Sequence, residues 1–116
     1  MSISYYPVPS SSIRYSTFKK DAKAGKLKGC RFKTMEKGTY VPRATDRAFS
    51  LYDTKDNWLV IHELDSQGNV ELTNYQLGNN DSSSIIARIL SYYKCKAYYE
   101  GDETTTFSAS DFRGKG

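Results

Sequence analysis

Three strand-like segments joined by two turn-like ones occupy the middle of the chain and constrain the fold more than any other feature. The strand-like segments are "RAFSLY" (47–52), "NWLVIHEL" (57–64) and "NVELTNYQL" (69–77), which are rich in aromatic and β-branched residues. Between them lie "DTKD" and "DSQG", whose composition is typical of tight turns. Consecutive strands joined by such short turns pair antiparallel, so this region predicts a β-meander with the second segment at its centre.

An apolar stripe after the meander predicts one well-defined helix. Its members recur at the spacing of a single helix face: Ile85, Ile86, Ile89, Leu90 and Tyr93. Asp81 or Ser82 precedes the stripe and can cap the free backbone N–H groups of the first turn. We therefore expect an amphipathic helix over about 82–94 that packs on one face of the sheet.

The region before the meander predicts a short helix and one more strand. Ser16 or Thr17 can cap "FKKDAKA", and Gly25 suits the left-handed position just after a helix. The following "CRFKTM" alternates in the manner of a strand, with Arg31 and Lys33 together on its polar face. The predicted fold class is therefore α+β: a single domain with an antiparallel β-meander sheet, the amphipathic helix on one face and a short basic N-terminal helix.

Length and the composition of the two ends set the expected domain boundaries. A chain of 116 residues fits one domain, which we expect to span residues 16–104. Two prolines near the start lack the N–H group that a strand ladder needs, so residues 1–15 are expected to form an extended N-terminal arm. Residues 105–116 are mostly polar and are expected to form a C-terminal tail.

Charge is distributed unevenly along the chain. Residues 1–47 hold eleven basic and three acidic side chains, whereas residues 48–116 hold six basic and ten acidic ones. Clustered positive charge raises the local concentration of anionic partners. The residues that could form an anion-binding or nucleic-acid-binding surface are Arg14, Lys19, Lys20, Lys23, Lys26, Lys28, Arg31, Lys33, Arg43 and Arg47. The aromatic residues that could add base stacking or interface contacts are Tyr15, Phe18, Tyr92 and Tyr98.

Two interpretations of the basic stretch stay open. Its lysines and arginines could contact the phosphates of a nucleic acid and release counterions. They could equally form a solvated helix and strand edge, where lysine discourages edge-to-edge aggregation. Because lysine outnumbers arginine there, any nucleic-acid contact should depend on backbone charge and shape more than on base edges. The first interpretation requires that the lysines of the helix and the cations of the strand lie on one surface.

The residues that usually carry catalysis or bind metals are sparse. His62 is the only histidine and lies in an apolar strand, where a structural role is typical. Cys30 and Cys95 are the only cysteines and do not have the spacing of a metal-binding motif. No glycine-rich phosphate-binding loop precedes a helix. The sequence therefore predicts no enzymatic activity, no metal site and no cofactor.

Cysteine content and the first residues bear on the compartment. Two cysteines are too few for the disulfide framework of a small secreted domain, so we expect reduced thiols. The N-terminus lacks the basic start and apolar run of a signal peptide, and no apolar segment reaches the roughly 20 residues that span a bilayer. These features predict a cytoplasmic protein without membrane contact.

Three functions from different classes follow. The first is a non-enzymatic binding protein whose basic N-terminal segment engages nucleic acid or a nucleoprotein complex. The second is a compact protein-interaction module, such as a viral or mobile-element inhibitor of a host protein complex, whose opposite-signed halves also allow self-association. The third is a binder of a nucleotide or another phosphate-containing small molecule. The charge asymmetry places the first ahead.

Overall fold

The computed structural model describes residues 2–35 and 47–113, which form a seven-stranded sheet and three α-helices. The strands are β1 (Ser2–Val8), β2 (Arg31–Thr34), β3 (Ala48–Tyr52), β4 (Trp58–Glu63), β5 (Val70–Tyr75), β6 (Lys96–Tyr99) and β7 (Asp102–Phe107). The helices are α1 (Tyr15–Lys23), α2 (Ser83–Tyr93) and α3 (Ala109–Arg113), and a 3₁₀ turn covers Ser10–Ser12. None of the helices in these two ranges is long and apolar enough to span a bilayer.

The α+β class and the predicted meander are confirmed. The strand order is β2-β3-β4-β5-β1-β6-β7, with antiparallel neighbours, so β2 to β5 follow one another in space as in sequence. α2 lies within the expected range, and Gly25 follows α1 with φ of 75°. α1 begins at Tyr15, before the predicted hydroxyl caps, because the Tyr15 N–H already donates to the carbonyl of Gly68 at 2.8 Å.

Alternation along the strands gives the sheet two unlike faces. One face carries Phe49, Leu51, Leu59, Ile61 and Leu72, all fully buried. All three helices add apolar side chains to the same cluster, so we call this the helix-covered face. The opposite face has its own small cluster of Ala48 and Val60, against which Met35, Trp58 and Tyr75 pack. No described helix contributes a side chain to that cluster, and we call this the helix-free face.

The centre of the helix-covered face is aromatic. The ring centroid of Phe49 lies 5.2 Å from that of Phe18 on α1 and 5.4 Å from that of Phe32 on β2. On α2, Tyr93 packs edge-on against Phe18 at 5.4 Å, and its hydroxyl donates to Asp21 at 2.8 Å. These contacts tie α1 and α2 to each other and to β3.

Two hairpin loops, 53–57 and 65–69, share one hydrogen-bonding design. In each loop the first-position aspartate accepts, with one oxygen, the backbone N–H groups of the third and fifth positions. Its other oxygen accepts the side-chain amide of the fifth-position asparagine. The two loops differ in setting, because Asp53 is buried and also accepts the hydroxyl of Ser84 on α2, whereas Asp65 is exposed. The loop 53–57 therefore anchors α2 to the β3–β4 hairpin.

The structure corrects the expectation that residues 1–15 form an extended arm. β1 is an interior strand, in which Ser2–Tyr5 pair with β5 and Tyr5–Val8 pair with β6. Pro7 is compatible with this position because the β1–β5 pairing has already ended at Tyr5, so that its missing N–H group interrupts no ladder. The prolines identified a real constraint on pairing, but the constraint applies to one side of the strand only.

The expected polar tail over residues 105–116 is also corrected within its described part. β7 continues to Phe107, and α3 follows directly. Phe112 of α3 is 4% exposed and packs edge-on against Tyr5 at 5.2 Å. Two phenylalanines supply enough apolar area to dock this short segment on the helix-covered face, so the folded domain extends from β1 to α3.

Candidate nucleic-acid interface

The helix-free face carries three aromatic rings side by side at one end of the sheet. Tyr52 on β3 pairs with Trp58 on β4, and the ring of Trp58 stacks on that of Tyr75 on β5. The Trp58 and Tyr75 centroids are 5.5 Å apart, with 21° between the ring planes. All three side chains are half-buried. We call Tyr52, Trp58 and Tyr75 the aromatic row.

Asn80 fixes two members of the aromatic row from the loop that leads to α2. Its Oδ1 accepts the backbone N–H of Trp58 at 2.7 Å. Its Nδ2 donates to the carbonyls of Trp58 and Tyr75 at 3.2 and 2.6 Å. The amide therefore supplies hydrogen bonds to strand backbone at the end of the sheet, and it holds β4 and β5 at the spacing in which their rings stack.

Two cations from the edge strand β2 lie over the first ring of the row. The guanidinium of Arg31 is 5.9 Å and the Nζ of Lys33 is 5.6 Å from the centroid of Tyr52. Both cations are exposed. Arg31 also pairs with Asp56 at 2.9 Å, whereas Lys33 forms no ion pair with a carboxylate of the described residues. Positive charge thus sits directly beside a stacking surface.

The lysines of α1 lie on the opposite side of the sheet. The Nζ of Lys19 is 5.9 Å from the ring of Tyr15, and the Nζ of Lys23 is 5.7 Å from the ring of Phe32. Both rings pack in the helix-covered cluster. Phe32 and Lys33 are neighbours on β2 and therefore point to opposite faces. The helix lysines and the cations of β2 do not share a face, as a single anion-binding surface would require.

The other basic residues singled out from the sequence are dispersed. Three of them contact side chains of other segments: Lys26 with Asp21 at 3.8 Å, Arg47 with Glu63 at 2.8 Å, and Arg14 with Asn69. Lys20 and Lys28 are exposed. Arg43 lies outside the described residues. Of the ten predicted residues, the structure places Arg31 and Lys33 over the aromatic row.

Two of the four predicted stacking residues are in the core, so that part of the prediction is wrong. Tyr15 is 6% and Phe18 is 0% exposed, because they form the buried stripe of α1 that faces Phe49. Tyr92 is 42% exposed on α2. Tyr98 is half-buried on the helix-free face. The helical spacing of residues 15 and 18 was the signal that they share an inward face.

Sequence reasoning missed the aromatic row itself. A signal for it exists, since Tyr52 directly precedes the first hairpin loop and Trp58 directly follows it. A hairpin places two such residues opposite each other on the same face. The third ring, Tyr75, was predictable only with the register of β5, in which Val60 pairs with Thr73.

At the other end of the helix-free face, a buried polar cluster links three strands. His62 lies opposite Glu71, and the hydroxyl of Tyr6 donates to Glu71 at 2.9 Å. His62 is 4% and Glu71 is 5% exposed. Burial, followed by the hydrogen bond to Glu71, raises the pKa of Tyr6 well above its usual value, so its hydroxyl keeps its proton. The cluster suits cross-strand support more than proton exchange with a ligand.

The thiols and carboxylates of the described ranges are not arranged for metal binding or thiolate chemistry. No three His, Cys, Asp or Glu side chains within residues 2–35 and 47–113 are grouped so that they could hold a metal ion. Cys30 and Cys95 are free thiols, and burial raises the pKa of both. Thiolate, the reactive form, is therefore scarce at neutral pH.

A polar cleft of about 440 Å³ lies between the first hairpin loop and α2. Its charged groups are mixed, with Asp53 and Asp81 facing it beside Lys55 and Arg88. All the oxygens of the Asp53 carboxylate already accept hydrogen bonds from loop and helix donors. Two carboxylates repel a phosphate group, so this cleft offers weak support for a nucleotide site.

Comparisons with known proteins assign no family to this arrangement: no family model matches the chain, and no curated protein or solved structure is significantly similar to it.

Proposed function

We propose that this protein binds single-stranded nucleic acid, without enzymatic activity, on its helix-free face. Bases stack on the aromatic row, and Arg31 and Lys33 hold the adjoining phosphates. The observation that carries the proposal is the position of these two exposed cations, 5.9 and 5.6 Å from the ring of Tyr52. Proteins that bind single strands combine these elements, a cationic track and aromatic rings on which successive bases stack.

The aromatic character of the surface favours a single strand over a duplex. Aromatic side chains stack on the planes of bases, and those planes are accessible only when the bases are unpaired. Trp58 and Tyr75 stack with 21° between their planes, so the row already holds rings in the orientation that base stacking uses. Asn80 holds both strands in place before any ligand arrives, which lowers the entropy lost on binding.

The cations of β2 are available for phosphate at small cost. The bridge from Arg31 to Asp56 joins side chains that are 67% and 83% exposed, and such bridges contribute about 0–1 kcal/mol. A phosphate can therefore replace Asp56 as the partner of Arg31 with little loss. Contacts of this kind are independent of base sequence and weaken as salt rises.

Fluorescence anisotropy with labelled oligothymidylate, at low and moderate salt, tests the proposal. Arg31→Gln combined with Lys33→Gln should weaken binding roughly tenfold or more and reduce the salt slope by about 1.4, as expected for two lost phosphate contacts. The matched control is Lys19→Gln combined with Lys20→Gln on α1, which makes the same change in net charge on the helix-covered side. That control should change binding about twofold or less.

Stacking is tested separately from charge. Trp58 is the only tryptophan, so a base that stacks on the row should quench its emission on titration. Tyr52→Leu keeps an apolar side chain but removes the ring, and it should cost about 1–3 kcal/mol of binding. The proposal fails if oligothymidylate does not bind at low salt, or if the α1 control weakens binding as much as the β2 variant.

The two other functions predicted from the sequence become distinct outcomes of this series. A protein-interaction module would leave oligonucleotide affinity immeasurable even at low salt. A nucleotide binder would bind mononucleotides as tightly as oligonucleotides, since a single phosphate-bearing base would fill its site. Tighter binding with increasing oligonucleotide length favours the proposed interface.

A further inference from the structure

A second cleft opens on the helix-free face where β1 and β5 separate. It has a volume of about 310 Å³ and is walled by the rings of Tyr6 and Tyr98, the exposed side chain of Leu64 and the hairpin loop 65–69. Pro7 explains the opening. If the register that pairs Tyr5 with Leu72 continued, Pro7 would lie opposite a residue of β5. Proline has no N–H to continue the ladder, so the two strands diverge there.

The walls of the cleft suit a flat ring. Tyr6 and Tyr98 lie with their centroids 5.3 Å apart and 32° between their planes. Leu64 is 39% exposed, a large apolar surface beside these rings. Such a wall offers a stacking surface of the kind that a nucleobase uses, and the cleft is large enough for one base.

Asp65 at the rim gives the cleft a fixed hydrogen-bond acceptor. Its Oδ1 accepts two backbone N–H groups, and its Oδ2 accepts the side chain of Asn69 at 2.9 Å, which leaves Oδ2 a free acceptor position. The hydrogen bond from Asn69 is the main reason that the pKa of Asp65 lies below its usual value. At neutral pH the carboxylate is therefore ionised and can only accept hydrogen bonds. Arg14 donates to Asn69 and places a cation beside the cleft, where a phosphate would run.

The cleft and the aromatic row lie on the same face and are within reach of one strand. Tyr6 lies two strands across from Trp58 and four residues further along the strand direction, so the two residues are separated by roughly 15 Å. A nucleic-acid strand of a few nucleotides spans that distance. Between the two sites, Ser50, Val60, Thr73 and Ser4 pair across β3, β4, β5 and β1. All four are buried, so the strand would contact the larger side chains around them.

We infer that this cleft receives one base of the bound strand and selects bases that carry an exocyclic amino group, with the amino group donating to Asp65. The inference rests on the proposed function of the aromatic row. Carboxylates accept hydrogen bonds from the amino group of cytosine, whereas the carbonyl that thymine and uracil present at the same position is repelled. Cytosine and adenine should therefore be preferred over thymine at one position of the strand.

A base-substitution scan tests the inference. Affinities are measured by anisotropy for a short oligothymidylate and for the series in which one thymine at a time is replaced by cytosine. One position should bind about fivefold or more tightly as cytosine. A parallel series with uracil controls for the thymine methyl group, and uracil should give no gain at that position.

Two variants separate the cleft from the row. Asp65→Asn keeps the oxygen that accepts the loop N–H groups but loses the anionic acceptor, so it should abolish the cytosine preference while changing oligothymidylate affinity less than about twofold. Tyr98→Leu should reduce the preference by removing the ring. The matched control is Asp102→Asn, an aspartate at the start of β7 that accepts hydrogen bonds from Thr104, and it should keep the preference.

The possible failures are distinguishable. Oligothymidylate binding with no preferred position, or a preference that survives in Asp65→Asn, overturns the cleft assignment and leaves the aromatic row standing. Loss of the preference in Asp102→Asn as well would show that net charge, not the cleft, controls it. No oligonucleotide binding at all overturns the proposed function and the cleft assignment together.

Discussion

The two faces of the sheet are built from alternate residues of the same strands, yet they differ in almost every physical property. On β3, Phe49 and Leu51 are fully buried against the helices, while their neighbours Ser50 and Tyr52 face the other way. The helix-covered face is continuous aromatic and aliphatic packing. The helix-free face combines rings, small polar side chains and charges. The first face is closed by packing, whereas Trp58 and Tyr75 on the second pack against the small cluster of Ala48 and Val60 and stay half-buried.

This difference separates residues that stabilise the fold from residues available for a ligand. A ring such as Phe18 is fixed by contacts on every side and has no surface left for a partner. Tyr52 and Trp58 are half-buried, and each keeps surface outside the core. Exposed or half-exposed aromatic rings beside cations are typical of binding surfaces. If the helix-covered face stabilises the fold and the helix-free face binds the ligand, mutations on the first should lower stability and mutations on the second should weaken binding.

The largest expected effect is on stability, at the centre of the helix-covered face. Phe49→Ala should lower the free energy of unfolding by about 3–5 kcal/mol, because it leaves a cavity among Tyr15, Phe18 and Phe32. Tyr52→Ala, the matched truncation on the helix-free face, should cost about 1 kcal/mol. Urea denaturation measures both. Equal losses would mean that the two faces share one packed core.

The next largest effect on stability is expected in the two hairpin loops, where it should also depend on pH. Burial alone would raise the pKa of Asp53, but its hydrogen bonds from Asn57, Lys55 and Ser84 outweigh burial and lower it. A lowered pKa in the folded state stabilises the protein above the unfolded-state value of about 4, and that stabilisation is lost as the pH falls through the folded-state value. The wild-type protein should therefore lose stability below about pH 4.

Asp53→Asn should remove part of this pH dependence and should cost about 1–3 kcal/mol at neutral pH, since the amide nitrogen that replaces Oδ2 can accept a hydrogen bond from neither Asn57 nor Ser84. Asp65→Asn, in the exposed copy of the loop, should cost less than Asp53→Asn. Thermal denaturation from acid to neutral pH compares the three proteins. A constant gap between the wild type and Asp53→Asn across that range would contradict the ionised role of Asp53.

Much of the fold follows from local sequence, and the failures concern contacts between distant segments. The stripe from Ile85 to Leu90 predicted α2, because helix periodicity needs no tertiary information. The interior position of β1 depends on β6, which lies about ninety residues further along the chain, and no local pattern reports such a pairing. The two prolines pointed away from it. In physical terms, a proline forbids one hydrogen bond, not a strand.

The candidate site shows the same division. The basic stretch was visible in composition, and the alternation of β2 correctly placed Arg31 and Lys33 together. Composition gave no information on which side of the sheet α1 packs, and that placement separates the helix lysines from the strand cations. Asn80 could not be recognised either, because its role depends on the start of β4 and the end of β5 lying at the same level.

A smaller effect is expected at the clamp on the aromatic row. Asn80→Ala removes hydrogen bonds to the backbone of Trp58 and Tyr75 at the end of the sheet, where water can partly replace them, so it should cost about 1 kcal/mol. It should also shift the emission of Trp58 and weaken oligothymidylate binding, because the two rings lose their fixed spacing. The neighbouring Asn79→Ala is the control. An unchanged Trp58 spectrum in Asn80→Ala would show that ring packing alone holds the row.

The smallest effect on stability is expected from removing exposed charges on α1 and β2, the same charges whose removal should affect binding most differently. The exposed bridge between Arg31 and Asp56, and the exposed Lys33, should contribute less than about 0.5 kcal/mol. Lys19→Gln with Lys20→Gln, and Arg31→Gln with Lys33→Gln, should therefore unfold within about 0.5 kcal/mol of the wild type. Denaturation curves of the four-protein set, the two double variants, the wild type and Tyr52→Leu, decide this before any binding is measured. If the two double variants are equally stable, a difference in their oligonucleotide affinity shows on which face of the sheet the charge contributes to binding. If the β2 variant is destabilised, its loss of binding reflects a disturbed edge strand instead.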